Sequence, residues 1–155
     1  MHQRFMEKAI ELAIENARLG NGGPFAALVV SGGSIVAQGV NQVTSRHDPT
    51  AHAEIVAIRE ACAALGQFQL PGCEIYASCE PCPMCLGAVY WARLDRVFFA
   101  ATRADAAAFH FDDDFIYQEL QLPLESRRIP MVPLLPERGL EAFRRWEQQA
   151  DKTPY

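Results

Sequence analysis

Three cysteines separated by prolines occupy one short segment of this chain and restrict how it can fold. The segment SCEPCPMC, residues 78–85, places Cys79, Cys82 and Cys85 at intervals of three. A disulfide framework would need its cysteines spread along the chain, and the total of five is odd. The cluster therefore indicates metal binding or catalysis. A structural zinc knuckle, a reduced dithiol and an iron–sulfur loop are the alternatives, the last of which would need a fourth cysteine.

Regular elements are predicted on both sides of the cluster. The segment CEIYASC, residues 73–79, has the composition of a strand, and the proline pair ends it. Pro83 suits the first turn of a helix that runs to about Arg93. A second strand follows at RVFFAAT, residues 96–102. This order of strand, helix and strand favours parallel pairing in a layered α/β fold.

The remaining elements are read from hydrophobic spacing and turn residues. PFAALVV (24–30) and SIVAQGV (34–40) are two antiparallel strands joined by a hairpin at Gly32 and Gly33. An N-terminal helix precedes them and another helix begins close to His52. The apolar stripes predicted for these two helices are Met6, Ile10, Ala13, Ala17 and Ile55, Ile58, Cys62, Leu65. Later come a short helix near FIYQEL, an extended MVPLL (131–135) and a last helix with Leu140, Phe143 and Trp146 facing inward.

His52 supplies the ligand that turns the cysteine pair into a candidate catalytic metal site. Cys82 and Cys85, at i and i+3, can face one ion at a helix N-terminus, and the imidazole completes a three-ligand zinc site with an open fourth position. Zinc in such a site lowers the pKa of a bound water toward neutrality. Glu54, two residues from His52, is assigned proton transfer between that water and a substrate.

The combination of HAE (52–54) with PCPMC (81–85) resembles the zinc sites of the cytidine deaminase superfamily. The likeness extends over nearly the whole chain. The four segments that carry it, GGPFAALVV, NQVTSRHDPTAHAEI, SCEPCPMCLGAVYWA and FDDDFIY, together look like the small bacterial guanine deaminases of that superfamily. The resemblance implies hydrolysis of guanine to xanthine and ammonia with one Zn²⁺ per chain.

The resemblance also implies roles for residues outside the metal site. Phe25 lies against the base, Asn41 hydrogen-bonds it, and Asp113 is a second proton carrier. The neighbours of Asp113 have simpler explanations: Asp114 is the N-cap of the following helix and Asp112 is solvated. Three further residues are expected to bind substrate, namely Ala53, Trp91 and the terminal Tyr155, which closes the pocket.

The fold implied by the same resemblance is a three-layer α-β-α sandwich with a mixed five-stranded sheet, formed by residues 1–155 as a single domain. The assembly implied is a homodimer in which C-terminal segments are exchanged between the chains. The length of 155 residues agrees with one domain. The N-terminal segment lacks the apolar centre of a signal peptide and no apolar run is long enough to span a membrane, so a cytoplasmic protein is expected.

The charge of the chain weighs against a nucleic-acid substrate. A net charge of −5 with scattered arginines does not provide the concentrated positive surface that phosphates need. This disfavours a tRNA adenosine deaminase, which shares the zinc signature. A deaminase of cytosine or of another guanine-like free base is separated from a guanine deaminase only by pocket shape. An inactive zinc-binding interaction domain would have no use for Glu54.

Overall fold

The structure is a computed structural model and describes residues 2–155. It divides into two compact units, one up to Asp114 and one at Phe115–Tyr155. The elements in chain order are α1 (His2–Leu19), β1 (Ala26–Ser31), β2 (Ser34–Val40), α2 (Val43–Arg46), α3 (Ala53–Leu65), β3 (Cys73–Cys79), α4 (Pro83–Trp91), β4 (Arg96–Ala101), α5 (Arg103–Ala108), α6 (Asp114–Gln121), a 3₁₀ turn (Leu124–Ser126) and α7 (Pro136–Glu147).

The first unit is built on a mixed sheet with strand order β2-β1-β3-β4. Strand β1 is antiparallel to both β2 and β3, whereas β3 and β4 are parallel. The predicted hairpin is confirmed: Ser31 pairs with Ser34, and Gly32 and Gly33 between them have φ of 55° and 79°, a conformation that costs glycine little. The parallel pairing of the strands on either side of α4 is also as predicted.

Helices cover both faces of this sheet. Successive side chains of β1 point to opposite faces, and the apolar ones on each face pack against a different set of helices. Leu28 and Val30 belong to a buried cluster with Phe5 and Ala9 of α1. Ala27 and Val29 belong to a second buried cluster that includes residues of α3 and α4. The α/β class and the helical layers on the two faces therefore agree with the prediction.

The number of strands does not agree. Within residues 2–155 the sheet has four strands, not the five that were expected. MVPLL (131–135), predicted to be extended, forms no strand. Pro133 inside this segment, with Pro130 and Pro136 at its flanks, removes amide donors that a strand ladder would use, which is a physical reason for the difference.

The apolar stripes of two helices were predicted correctly only in part: Ala13 of α1 is buried, and Met6, Ile58 and Cys62 are partly buried against the core. The buried positions of α1 are Phe5, Ala9, Ala13 and Asn16, while Ile10 and Ala17 are exposed. The buried positions of α3 are Ala53, Glu54, Val56, Ala57 and Ala61, while Leu65 is exposed. On α3 the close approach to β2 leaves room only for small side chains beside Gly39, because a Cβ on Gly39 would lie 2.3 Å from the Ala53 carbonyl oxygen. Close packing of backbones thus selects small residues over large ones.

The second unit contains α7, and its apolar side chains are not buried. Leu140, Phe143 and Trp146, predicted to face inward, are 43%, 71% and 40% exposed. The spacing identified a helix with an apolar face correctly, but spacing alone does not specify what covers that face. No helix within residues 2–155 combines the length and the apolar character required to cross a membrane.

Candidate metal centre

The two sequence motifs meet at the starts of two helices. His52 is the residue before α3 and Cys82 is the residue before α4, and both have extended backbones, with φ/ψ of −68°/155° and −66°/169°. Pro83 occupies the first turn of α4, where its missing amide costs nothing. The positive ends of both helix dipoles therefore face the same region and favour negative charge there.

The side chains of His52, Cys82 and Cys85 form a compact donor set. Their ligand atoms all lie within 4.8 Å of one another, and the Sγ atom of each cysteine is 3.6 Å from Nδ1 of the imidazole. A tetrahedral zinc with Zn–S near 2.3 Å and Zn–N near 2.0–2.1 Å would separate sulfur from nitrogen by about 3.6 Å. One nitrogen and two sulfur donors at this spacing fit a zinc ion with one open coordination position.

The protonation of these groups is coupled. The Cys85 thiol donates a hydrogen bond that holds the pKa of Cys82 down at about 4, and the imidazole of His52 adds to the effect. The pKa of Cys85 is raised in turn, first by that contact with Cys82 and then by burial. The hydrogen bond with Cys82 also raises the pKa of His52. One thiolate therefore forms readily, and a bound cation would stabilise the second.

Glu54 lies in the first turn of α3 and is 8% exposed. Burial raises the pKa of its carboxyl group, the negative charge of Cys82 adds to the shift, and contacts with Cys85 and His52 oppose it. A buried carboxyl group beside a candidate metal site can accept and return a proton near neutral pH. Its assignment to proton transfer stays a prediction.

Three predicted base-binding residues lie in the same unit. The ring of Phe25 packs edge-on against Phe111 with ring centroids 4.9 Å apart. Asn41 is buried, and its Oδ1 accepts hydrogen bonds from the amides of Gly23 and Val43 at 3.1 and 3.3 Å. Ala53 is 1% exposed at the start of α3. The turn role of Asn41 is therefore observed, while base binding by these residues remains a prediction.

Asp113 is close enough to the metal site to act on it electrostatically. Burial raises the pKa of its carboxyl group, the charge of Cys82 adds to the shift, and the Asp113 charge in turn raises the pKa of His52. The capping prediction beside it was wrong in detail. Asp114 is already in the first turn of α6, and its amide donates to Oδ1 of Asp112 at 2.9 Å, so Asp112 has the role of stabilising the turn.

One predicted residue of the first unit is not gathered at these helix starts. Trp91 is the last residue of α4, whereas Cys82 immediately precedes the first residue of that helix. The side chain of Trp91 is 64% exposed. Tyr155 lies in the second unit and is 74% exposed. Their expected contacts with substrate stay predictions.

One buried polar residue next to the candidate pocket was missed by the sequence analysis. Asn16 is 3% exposed on α1, and its Nδ2 donates to the carbonyl oxygens of Gly23 and Asn41, both at 2.9 Å. The available signal was an asparagine in helical register with Phe5, Ala9 and Ala13. A polar residue on a buried helix face needs partners, and its neighbours in space supply them.

Comparisons with known proteins agree with this geometry. Residues 1–101 match the family described as cytidine and deoxycytidylate deaminase zinc-binding region. The guanine deaminase of Bacillus subtilis is 51% identical over 154 residues, which cover 99% of each chain. A tRNA-specific adenosine deaminase of Agrobacterium fabrum is 45% identical over 78 residues, covering 50% of this chain and 51% of the relative.

Solved structures give the same picture. The X-ray structure of guanine deaminase from Bacillus subtilis superposes with a TM-score of 0.98 at 50% identity, covering 100% of this chain and 99% of that one. A guanine deaminase from Nitrosomonas europaea gives a TM-score of 0.67 at 34% identity, covering 89% and 70%. The chain has the cytidine-deaminase-like fold, with His52, Cys82 and Cys85 as its candidate zinc ligands. It therefore belongs to the cytidine and deoxycytidylate deaminase family of zinc-binding enzymes.

Proposed function

We propose that this protein hydrolyses guanine to xanthine and ammonia. The observation that carries the proposal is a buried carboxyl group, Glu54, set beside a donor set that fits zinc, in a chain 51% identical over 154 residues to a guanine deaminase. The assignment would place the protein in purine metabolism, and we propose a cytoplasmic location for it.

The residues of the centre would divide the work between holding the ion and moving protons. Zinc held by His52, Cys82 and Cys85 would supply Lewis acidity and lower the pKa of water. Glu54 would take a proton from the attacking water and pass it to N3 of the base. The water oxygen bonds to C2, the bond from C2 to the exocyclic amine breaks, and the second water proton leaves with ammonia.

Asp113 would be the second proton carrier of this scheme. The burial that raises the pKa of its carboxyl group makes it a better proton donor at neutral pH than a solvated aspartate. The departing amine needs a proton, and Glu54 is engaged at N3 during the same step. Support for the role is the electrostatic coupling of Asp113 to Cys82 and His52.

The base would bind between Phe25 and Asn41, with Ala53 at the back. The Phe25 ring lies at 87° to that of Phe111, and one of its faces would stack on the base. Asn41 has committed its Oδ1 to two backbone amides, so its Nδ2 is the donor left for an acceptor on the base. Guanine carries such acceptors at O6 and at the ring nitrogens. Trp91 and Tyr155 are proposed to complete the pocket.

The assembly proposed is a homodimer with exchanged C-terminal segments, each chain being one domain over residues 1–155. The second unit exposes more large apolar side chains than a solvated segment is expected to keep. The most exposed are Ile129, Val132, Leu134, Phe143 and Tyr155, at 76%, 81%, 85%, 71% and 74%. A partner chain covering these residues would bury them and would bring Tyr155 to a site in trans.

The second candidate is deamination of adenosine in tRNA, which the local similarity to tRNA-specific adenosine deaminases favours. That similarity covers half of the chain, and the net charge of −5 opposes binding to a polyanion. A free-base deaminase for cytosine or a guanine-like heterocycle is the third.

Ammonia release from zinc-loaded protein separates these candidates. The substrates are guanine, cytosine, adenine, guanosine and a tRNA stem-loop, and we expect strong turnover with guanine alone. Reaction of the stem-loop without reaction of guanine would overturn the substrate assignment while leaving the metal chemistry intact. The ligands are checked separately: Cys82→Ala should lose stoichiometric zinc, and full retention would contradict their assignment.

A further inference from the structure

The geometry points to Asn16 as a positioning residue of the base pocket, an inference that rests on the proposed function. Asn16 lies near the C-terminal end of α1 and would not touch substrate. Its Nδ2 donates to two carbonyl oxygens, those of Gly23 and Asn41, each at 2.9 Å. One side-chain amide thus joins the turn before Phe25 to the end of β2.

The turn and the strand end are joined by further hydrogen bonds. The amide of Gly23 donates to Oδ1 of Asn41 at 3.1 Å, and the amide of Asn41 donates to the carbonyl oxygen of Phe25 at 3.0 Å. The Asn41 side chain and the Phe25 backbone are therefore fixed relative to each other by one connected network. Asn16 fixes that network to α1.

Space around the turn is equally restricted. A Cβ on Gly22 would lie 2.2 Å from the carbonyl oxygen of Asn41 and 2.7 Å from its Oδ1. A Cβ on Gly23 would lie 3.1 Å from the ring of Phe25. Any shift of the turn is therefore transmitted to Asn41, to Phe25 or to both.

Packing alone does not account for an asparagine at this position. The other buried residues of α1 are Phe5, Ala9 and Ala13, and a leucine would continue that apolar face. Among residues 2–155, no hydrogen-bond partner is found for Oδ1 of Asn16, which is buried. A buried acceptor without a partner is destabilising. The two hydrogen bonds donated by Nδ2 offset this cost, and both acceptors are backbone groups beside the candidate base pocket.

The test replaces the donor by an apolar side chain with the same number of heavy atoms and the same branching at Cγ. Asn16→Leu removes both Nδ2 bonds and also removes the buried Oδ1. We expect KM for guanine to rise about tenfold or more, the scale of losing a well-placed pocket hydrogen bond, with kcat changed less than about threefold and zinc content unchanged. The dissociation constant of the product xanthine should rise by the same factor, which gives a readout independent of turnover.

Two more variants keep the outcome decisive. Gly22→Ala displaces the same turn by placing a methyl group against Asn41, and it should raise KM in the same way. It provides the test if Asn16→Leu does not fold. Ala9→Gly is the matched control: it lies on the same buried face of α1 and weakens the helix without touching the turn, so KM should stay at the wild-type value.

The inference fails if Asn16→Leu and Gly22→Ala lower thermal stability but leave KM and the xanthine constant unchanged. It also fails if Ala9→Gly raises KM as much as they do, because the effect would then be one of general destabilisation. If the wild-type enzyme does not turn over guanine, the proposed function is wrong instead, and that result is seen before any variant is made.

Discussion

Cysteine residues of one short segment differ in chemistry because their surroundings differ. Cys82, with its hydrogen bond from Cys85, has a pKa of about 4, whereas burial raises the pKa of Cys79 to about 11. The Sγ atom of Cys79 lies 3.8 Å from the carbonyl oxygen of Thr102, which a protonated thiol can meet as a donor. Two cysteines three positions apart thus differ: Cys82 is a candidate metal ligand, and Cys79 is a neutral, partly buried thiol.

Cys79 is therefore predicted to resist alkylation in the folded protein. A pKa raised to about 11 leaves almost no thiolate at pH 8, and the thiolate is the reactive form. Iodoacetamide treatment at pH 8 followed by peptide mass spectrometry should label Cys79 at least ~10-fold more slowly in native than in denatured protein. The denatured sample is the control, and equal rates in the two samples would contradict the prediction.

The sequence identified residues with distinctive chemistry more readily than residues that support them. His52, Cys82 and Cys85 are metal-binding types at informative spacing, and the structure brings them within 4.8 Å. Asn16 carries no such signal, because its function depends on two carbonyl groups that only the fold places beside it. Turn formation by Asp112 was missed for a similar reason, since neighbouring aspartates look alike in a sequence.

At the scale of elements, the candidate metal centre depends on how closely α3 approaches β2. Gly39 of β2 faces the first turns of α3, where a Cβ would lie 2.3 Å from the Ala53 carbonyl oxygen and 2.5 Å from the Ala57 amide nitrogen. These contacts are with backbone atoms, which cannot rotate away. His52 lies immediately before α3, so its position depends on the absence of a side chain at Gly39 of β2.

Gly39→Ala is predicted to reduce zinc content and thermal stability together. The added methyl group must push the start of α3 away from the sheet, moving His52 relative to the cysteines of α4. We expect a destabilisation of about 1–3 kcal/mol, typical of overpacking, measured by thermal unfolding alongside metal analysis. Gly87→Ala in α4 is the control, since nothing lies within 4 Å of its Cβ and alanine is the better helix former. Full zinc content in Gly39→Ala would refute the coupling.

Sequence patterns predicted the elements better than the faces they bury. The strand at 73–79 and the helix start at Pro83 were read correctly, and the strand predicted at 96–102 ends one residue earlier, because propensity and proline effects are local. Ala13 of the predicted stripes is buried as expected, whereas Ile10 and Leu65 are exposed and alanines such as Ala9 and Ala57 are buried instead. Which face of a helix is buried depends on its distance to the sheet, and that distance is not a local property.

At the scale of the whole molecule, the second unit is notable for its many exposed large apolar side chains. Its exposed apolar residues motivate the proposed exchange of segments, and Tyr155 at its end is the residue that would act in trans. The family resemblance suggested five strands, while the described chain forms four. Local patterns indicated the four strands that are found, and the fifth came only from the resemblance. Assembly could not be read from local sequence patterns, because it depends on contacts between different chains.

Mixed dimers test the exchange of segments. Glu54→Gln and Tyr155→Ala chains are each expected to form homodimers of low activity with guanine. If Tyr155 acts in trans, a dimer of one chain of each type contains one site with both residues intact, and about half of the wild-type activity should return. The measurement uses differently tagged, co-purified chains, with wild-type dimers as the reference. No recovery in purified mixed dimers, or a monomer in sedimentation analysis, would contradict the proposed assembly.

The most direct test of the central claim is the rate at which zinc-loaded Glu54→Gln forms xanthine and ammonia from guanine. Glutamine keeps the size of the side chain but cannot carry a proton, so kcat/KM should fall at least ~100-fold while the zinc content stays at the wild-type level. Glu60→Gln, an exposed change on the same helix, should match the wild type. Turnover by zinc-loaded Glu54→Gln within a few-fold of the wild type would contradict a catalytic role for the buried carboxyl group, and with it the account of the site.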